Sequence, residues 1–188
     1  MLKSEIRSFY KKKRSGLSPY EISRISSHVQ TLVMDSFSFK DKYISLFLPI
    51  EKQHEINTYE LLEGIILQGG HPVLSKSNFS DLSLSLFLYE ESKQLTLSEH
   101  GIPEPTNGKE ISAKVLDVVF VPLLAINEHG HRVGYGKGFY DHLLSNCKPE
   151  CLFIGLHLFD EFIEISDLHP NDVPLHLCFT PSGMYDFR

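Results

Sequence analysis

The stretch "KVLDVVFVPLLAIN" (residues 114–127) decides how the chain folds. Val118, Val119, Phe120 and Val121 follow one another without a polar break, and three of the four are β-branched. Successive side chains of a strand point to opposite faces, so a strand over these residues is apolar on both. Such a strand has to be covered on both sides, which is how parallel sheets between helices are built. Pro122 ends the β-branched run. Outward from it, "YISLFLPI" (residues 43–50) and "CLFIGLHLF" (residues 151–159) read as further buried strands, and "PLHLCFTP" (residues 174–181) as the last one. "HPVLSK" (residues 71–76) reads as a short strand, and "LSLFLYE" (residues 84–90) and "KQLTLSE" (residues 93–99) as strands around a turn at Glu91 and Ser92.

Helices alternate with these runs. Residues 3–13 hold good helix formers, with Ile6 and Tyr10 on one face, and end in the charge run Lys11-Lys12-Lys13-Arg14, read as a solvated helix end. Ser18, Pro19 and Glu21 form a helix start with a capping box. Ile22, Ile25, Val29, Leu32 and Val33 follow at helical spacing as one buried stripe. In "NTYELLEGIILQGG" (residues 57–70), Asn57 or Thr58 caps a helix that Gly69 and Gly70 stop. "GIPEPTNGKEIS" (residues 101–112), with two prolines and two glycines, reads as a loop, and residues 138–146 as a helix with Phe139, Leu143 and Leu144 inward. The pattern predicts an α/β fold: a layered, mostly parallel central sheet flanked by helices, in a single domain over residues 1–188.

The 188 residues are 41% hydrophobic and 22% charged, with a formal net charge of −6. That balance argues against nucleic acid as a partner, because such binding rests on neutralising phosphates. The longest apolar stretch, residues 115–126, is broken by Asp117 and Pro122 and is too short to span a bilayer. The polar, basic first eighteen residues hold no apolar core of a secretory signal, so a cytoplasmic protein with no membrane partner is expected. Cys147, Cys151 and Cys178 read as reduced thiols. His129, His131, His169 and His176 read as residues flanking turns rather than as a zinc site.

After the central run comes "HRVGYGKGFYDHLL" (residues 131–144), in which Gly134, Gly136 and Gly138 alternate and Lys137 stands among them. Open α/β sheets gather ligands outside the carboxyl ends of their strands, where this block falls. It is not a Walker A loop, since Gly138 and Phe139 follow Lys137, nor a dinucleotide fingerprint, since Phe139 stands at the third glycine position. A glycine loop entering a helix still exposes backbone N–H groups to an anion, and Arg132 and Lys137 add two cations. Asp141 beside a phosphate makes most sense as a ligand for a hard cation. On spacing alone the block is either a phosphate site or a glycine-rich turn that joins a strand to a helix.

With these residues in view, the sequence resembles the 5-formyltetrahydrofolate cyclo-ligase family over nearly its whole length. The strongest block is "VVFVPLLAINEHGHRVGYGKGFYDHLL" (residues 118–144), similar to the family's strand, its P-x-x-A segment and its G-x-R-L-G-[YR]-G-x-G-[YF]-Y-D loop. "KSEIR", "HEINT", "GIPEP", "NDVPLH" and "FTP" follow the family's order and spacing. The resemblance implies an enzyme that uses ATP as co-substrate and Mg2+ as cofactor to close 5-formyltetrahydrofolate to 5,10-methenyltetrahydrofolate, releasing ADP and phosphate. It implies that Lys3, Ser4, Glu5, Ile6 and Arg7 form an ATP-contacting segment. A second such segment comprises Arg132, Val133, Gly134, Tyr135, Gly136, Lys137, Gly138, Phe139 and Tyr140, in which Lys137 and Arg132 act as catalytic cations. By the same resemblance Ile50, Glu55, Tyr135, Gly136, Lys137, Gly138 and Phe139 contact the folate, Pro103, Glu104 and Pro105 form part of its pocket, and Asp141 and Asp172 hold magnesium. A carboxylate such as Glu55 can accept paired hydrogen bonds from a pterin edge. The enzyme is expected to be a monomer.

Three departures stand out: Ser75-Lys76 where the family has proline and a basic residue, Val133 in place of leucine, and Pro181 where many members carry an acid. None removes a proposed ligand. A binding module for nucleotide or folate that has lost turnover, and an enzyme using the loop for a different anion such as a sugar phosphate, are the alternatives.

Overall fold

A computed structural model of the chain describes residues 1–90 and 94–188. Four helices, α1 (Lys3–Ser15), α2 (Pro19–Ser36), α3 (Tyr59–Leu67) and α4 (Phe139–Ser145), surround a seven-stranded sheet. Its strands are β1 (Tyr43–Leu46), β2 (His71–Asn78), β3 (Ser83–Leu88), β6 (Val118–Pro122), β9 (Leu152–Leu156), β10 (Leu177–Thr180) and β11 (Gly183–Asp186), in the order β11-β10-β9-β6-β1-β2-β3. β4 (Leu95–Leu97) pairs with β5 (Pro103–Pro105), and β7 (Ala125–Ile126) with β8 (Arg132–Val133), in two small hairpins. The five inner strands run parallel, and β3 and β11 close the two edges antiparallel. This is the mostly parallel α/β architecture that the central run implies.

Alternation along β6 divides the core. Val118 and Phe120 join Ile6, Tyr10, Val29 and Ile65 under α1, α2 and α3. Val119 and Val121 join Leu143 and Leu144 of α4 on the other face. α2 starts as its sequence demands: the Ser18 hydroxyl accepts from the Glu21 amide at 3.2 Å, and the Glu21 carboxylate accepts from the Ser18 amide at 2.8 Å.

From β1 the chain runs outward through β2 to β3, then returns to the middle and runs the other way through β6, β9 and β10. The order therefore reverses between β1 and β6, where an open α/β sheet leaves a crevice for a ligand. Only Ile44 with Val118 and Ser45 with Val119 pair across this seam, whereas β6 and β9 pair over five positions from Val118 to Pro122.

Several sequence expectations change in the structure. The strand expected over residues 43–50 stops at Leu46, because the chain leaves the sheet there. The Phe47 carbonyl accepts from the Thr58 hydroxyl at 2.6 Å, and the Ile50 amide donates to Glu55 at 2.7 Å. The apolar residues after Pro122 do not extend β6 but turn into the β7–β8 hairpin. The expected loop at residues 101–112 contains β5. Pro103 and Pro105 are tolerated there because the ladder bonds come from their neighbours: Ser98 donates to the Ile102 carbonyl at 2.9 Å and Thr106 to the Gln94 carbonyl at 2.7 Å. β11 lies beyond the strand read as the last, folded back on β10 across Pro181 and Ser182. The proposed turn at Glu91 and Ser92, and Lys93, lie outside the described residues.

Candidate active site

The crevice is a cleft of about 430 Å3. Leu46 at the end of β1 and Phe47 and Leu48 just after it border the crevice, with Leu74 and Ser75 on β2 and Pro122 at the end of β6, so it opens at the carboxyl ends of the inner strands. The glycine block forms one wall. Gly136 has a φ of 89°, and a Cβ at that position would stand 3.0 Å from the Arg7 guanidinium carbon. The left-handed backbone favours glycine here, and a Cβ would press on the Arg7 side chain. Gly138 precedes α4 with a φ of 76°. Gly134 has no positive φ and open space around it, and its carbonyl accepts from Arg7 Nε at 2.9 Å.

α1 supplies the facing wall. Lys3, Arg7 and Lys11 repeat every four residues and line the cleft together. The segment expected to bind ATP therefore contributes only its two end members, Lys3 and Arg7: Ser4 and Glu5 are exposed, and Ile6 is buried in the core. Lys11 was not singled out by the sequence, although its spacing from Lys3 and Arg7 carries the signal; its ammonium stands 5.3 Å from the Tyr135 ring centre. Arg14 corrects the solvated reading of the charge run. It is 2% exposed, donates to the Leu123 carbonyl and reaches the Tyr135 hydroxyl at 3.1 Å. Its burial rests on partners more than a hundred residues away, which no local pattern reveals.

Both proposed metal ligands line the cleft, each beside a cation. Asp141 Oδ1 accepts from Arg132 Nη2 at 2.8 Å and from the Val173 amide at 3.1 Å. Arg132 also donates to the Val173 carbonyl at 2.6 Å. Burial pulls the Arg132 pKa down while the charge of Asp141 opposes the change. Arg132 is thus a buried brace between the loop and the segment before β10. Asp172 Oδ2 pairs with Lys3 Nζ and accepts from the His169 amide at 2.6 Å. Burial pushes the Asp172 carboxyl up, but the His169 amide and Lys3 outweigh it and hold the group below its ordinary value. Each aspartate thereby commits one oxygen to the protein, and its other oxygen takes part in none of these bonds. Two hard carboxylates that leave positions for phosphate oxygens and water suit Mg2+. Among the described residues, no three His, Cys, Asp or Glu side chains gather as a self-contained metal site. Lys137 is exposed on the loop.

At the inner end of the cleft lies Glu55, 6% exposed. Its Oε1 accepts from the Tyr135 hydroxyl at 2.5 Å and its Oε2 from the Ile50 amide at 2.7 Å. Burial raises its pKa; Tyr135, Ile50 and the Arg14 charge pull the other way. Tyr140 is half-buried near it and shares a hydrogen bond with Ser75, and loss of solvent around its hydroxyl raises its pKa too. Ile50 lines the cleft, and Val133 backs the loop from the core. Phe139, expected to point inward, instead meets Phe79 edge-on at 5.2 Å, and Phe79 packs on His100 at 4.1 Å. These aromatics make a lip with Ile102 and Pro103. Glu104 turns away from the lip and accepts from the Ser77 amide at 2.8 Å. Ser75 and Lys76, where the family pattern has a proline, lie inside an unbroken β2.

Residues 1–181 match the family model described as the 5-formyltetrahydrofolate cyclo-ligase family. The chain belongs to this family. It is 28% identical over 153 residues to a 5-formyltetrahydrofolate cyclo-ligase of Mus musculus, an alignment covering 77% of this chain and 74% of the relative. A protein of that name from Escherichia coli K12 is 29% identical over 150 residues, 77% of this chain and 80% of its own. The cyclo-ligase of Mycoplasma genitalium reaches 39% identity over a shorter stretch, 38% of this chain and 42% of that protein. In three dimensions the chain superposes on a 5,10-methenyltetrahydrofolate synthetase of Aquifex aeolicus with a TM-score of 0.80 at 27% identity, over 100% of this chain and 94% of that one. Among the described residues no helix is long and apolar enough to cross a membrane.

Proposed function

We propose that the chain is an ATP- and Mg2+-dependent 5-formyltetrahydrofolate cyclo-ligase that forms 5,10-methenyltetrahydrofolate, ADP and phosphate. Family membership supports the activity. The observation that carries its details is the convergence, in one cleft at the sheet's reversal point, of the glycine loop, the α1 cations and the buried Glu55.

Cyclisation has to remove a formamide oxygen, which is a poor leaving group at neutral pH. In the reading offered here that oxygen attacks the terminal phosphorus of ATP, forming a new P–O bond as the bond to ADP breaks. N10 then attacks the activated carbon, the phosphate departs with the former formyl oxygen, and N10 loses its proton. The protein's task is chiefly positioning and charge stabilisation. The loop from Gly134 to Gly138 offers backbone to the phosphates, and Arg7 braces it through the Gly134 carbonyl. Lys137 is free to approach the transferring phosphoryl group, Lys3 and Lys11 extend the positive wall, and Arg132 acts through Asp141. Asp141 and Asp172 would hold Mg2+, which supplies charge neutralisation to the phosphates. Glu55 accepts N–H bonds from the pterin edge, while Ile50, Phe139 and the aromatic lip close on the ring system. In this reading the chain works in the cytoplasm as a single domain and a monomer; residues of one chain line the cleft.

Incubation with 5-formyltetrahydrofolate, ATP and Mg2+, followed by the near-ultraviolet absorbance of the methenyl product, tests this. Product and ADP in equal amounts are expected. Tight binding of both ligands without product would make the protein a binding module, and binding of neither would overturn the reading.

A further inference from the structure

Arg14 has no part in the proposed chemistry, yet it is buried and ties three segments together. Donor and acceptor rules give this contact a direction. A guanidinium has donors only, so the Tyr135 oxygen must accept from Arg14 Nη1 at 3.1 Å. With Glu55 ionised, the one phenolic proton then points to Glu55 Oε1, 2.5 Å away. The Ile50 amide can only donate, so Oε2 is an acceptor as well. Both oxygens of Glu55 are addressed by donors, and the relay begins at a fixed positive charge that the Leu123 carbonyl anchors from its other side.

We propose that Arg14 is a positioning residue: through the Tyr135 hydroxyl it keeps Glu55 an anion that accepts on both oxygens, and so selects for a heterocycle whose edge presents adjacent N–H donors. The identity of that heterocycle as a pterin rests on the cyclo-ligase reading above. A protonated Glu55 would offer a donor of its own and would reject such an edge. Hydrogen bonds to a charged group are the strong ones, and a buried carboxylate without them neutralises instead. Among the described residues Arg14 from α1, Tyr135 from the glycine loop and Tyr140 from α4 act on Glu55, and Lys11 stands over the Tyr135 ring at 5.3 Å; Arg14 is the cation hydrogen-bonded into the relay.

The test uses the full chain with Arg14→Gln, Tyr135→Phe and Glu55→Gln. Affinities for 5-formyltetrahydrofolate and for a non-hydrolysable ATP analogue are measured by calorimetry from about pH 6 to about pH 9. Arg14→Gln is expected to weaken folate binding roughly tenfold to a hundredfold near neutral pH, with much of the loss recovered at the alkaline end as Glu55 ionises. Affinity for the ATP analogue should change by less than about threefold, because Arg7 still holds the loop. Tyr135→Phe should behave alike with Arg14 in place, and it decides the matter if Arg14→Gln does not fold. A folate loss that is the same at every pH, or an equal loss of the ATP analogue, overturns the proposal. If the parent protein binds no folate, the cyclo-ligase reading fails by itself. The relay is then decided by infrared titration of the carboxyl band missing in Glu55→Gln: movement of its midpoint to higher pH in Tyr135→Phe supports the relay, and no movement overturns it.

Discussion

His157 makes the fold sensitive to acid in a way that can be calculated. It follows β9, is 0% exposed, and neither ring nitrogen has a hydrogen-bond partner among the described residues. The Tyr10 and Phe159 rings stand 5.9 Å and 5.6 Å from it. Burial pushes its pKa from 6.5 down to about 3, and the charges of Arg14 and Lys13 push the same way while Asp160 opposes them. The folded value lies below the unfolded one, so the unfolded chain binds the proton first. The neutral ring's contribution is complete above the unfolded value and disappears as pH falls from there towards about 3. Linkage gives a loss of about 2 kcal/mol between pH 7 and pH 5 from this group alone. For a domain of this size that is a drop in melting temperature of about 4–8 °C. His157→Leu removes the titration and keeps an apolar side chain of similar volume. Urea unfolding of parent and variant at the two pH values should show the parent losing about 2 kcal/mol more than the variant. His176 and the carboxylates titrate in both proteins and cancel. Equal losses would refute the assignment of acid sensitivity to His157.

Three further outcomes are expected. Lys137→Ala should leave stability within about 0.5 kcal/mol, since the side chain is exposed, while turnover falls roughly a hundredfold or more in the absorbance assay; a twofold fall would make Lys137 peripheral. Asp141→Asn keeps acceptors for Arg132 and Val173 but leaves a buried guanidinium without its counter-charge. Denaturation should register a loss of about 1–3 kcal/mol, and turnover a loss of roughly a hundredfold, with unchanged kinetics removing Asp141 from the chemistry. Gly136→Ala meets both a left-handed backbone and the Arg7 guanidinium, so a destabilisation of about 1–2 kcal/mol and weaker ATP binding are expected; wild-type calorimetric affinity would contradict the role given to that close approach.

What could be read in the sequence was whatever local chemistry determines. The capping box at Ser18 and Glu21, the doubly apolar run at Val118 to Val121 and the glycine block each state their own structure, and the structure agrees. β5 was hidden because prolines normally argue against a strand, and their fit at this edge depends on which ladder positions need an N–H. β11 was hidden because "GMYD" has little pattern of its own and exists by pairing with β10. In the site, Lys3, Arg7, Glu55, Asp141 and Asp172, singled out through the resemblance, all border the same cleft. Arg14 escaped because a cation after three lysines reads as solvent-facing until the Leu123 carbonyl and Tyr135 come into view. Burial of a charge is a property of tertiary neighbours, and a single sequence does not display them.

The narrow seam between β1 and β6 strands main-chain groups in the middle of the molecule that a longer ladder would have consumed. Three side chains satisfy them: Thr58 at the Phe47 carbonyl, Glu55 at the Ile50 amide and Arg14 at the Leu123 carbonyl. Glu55 also lines the inner end of the cleft, and Arg14 touches the Tyr135 hydroxyl there. A substitution at Arg14 or Glu55 therefore also takes a partner away from a main-chain group in the rift of the sheet, whatever it does to a ligand.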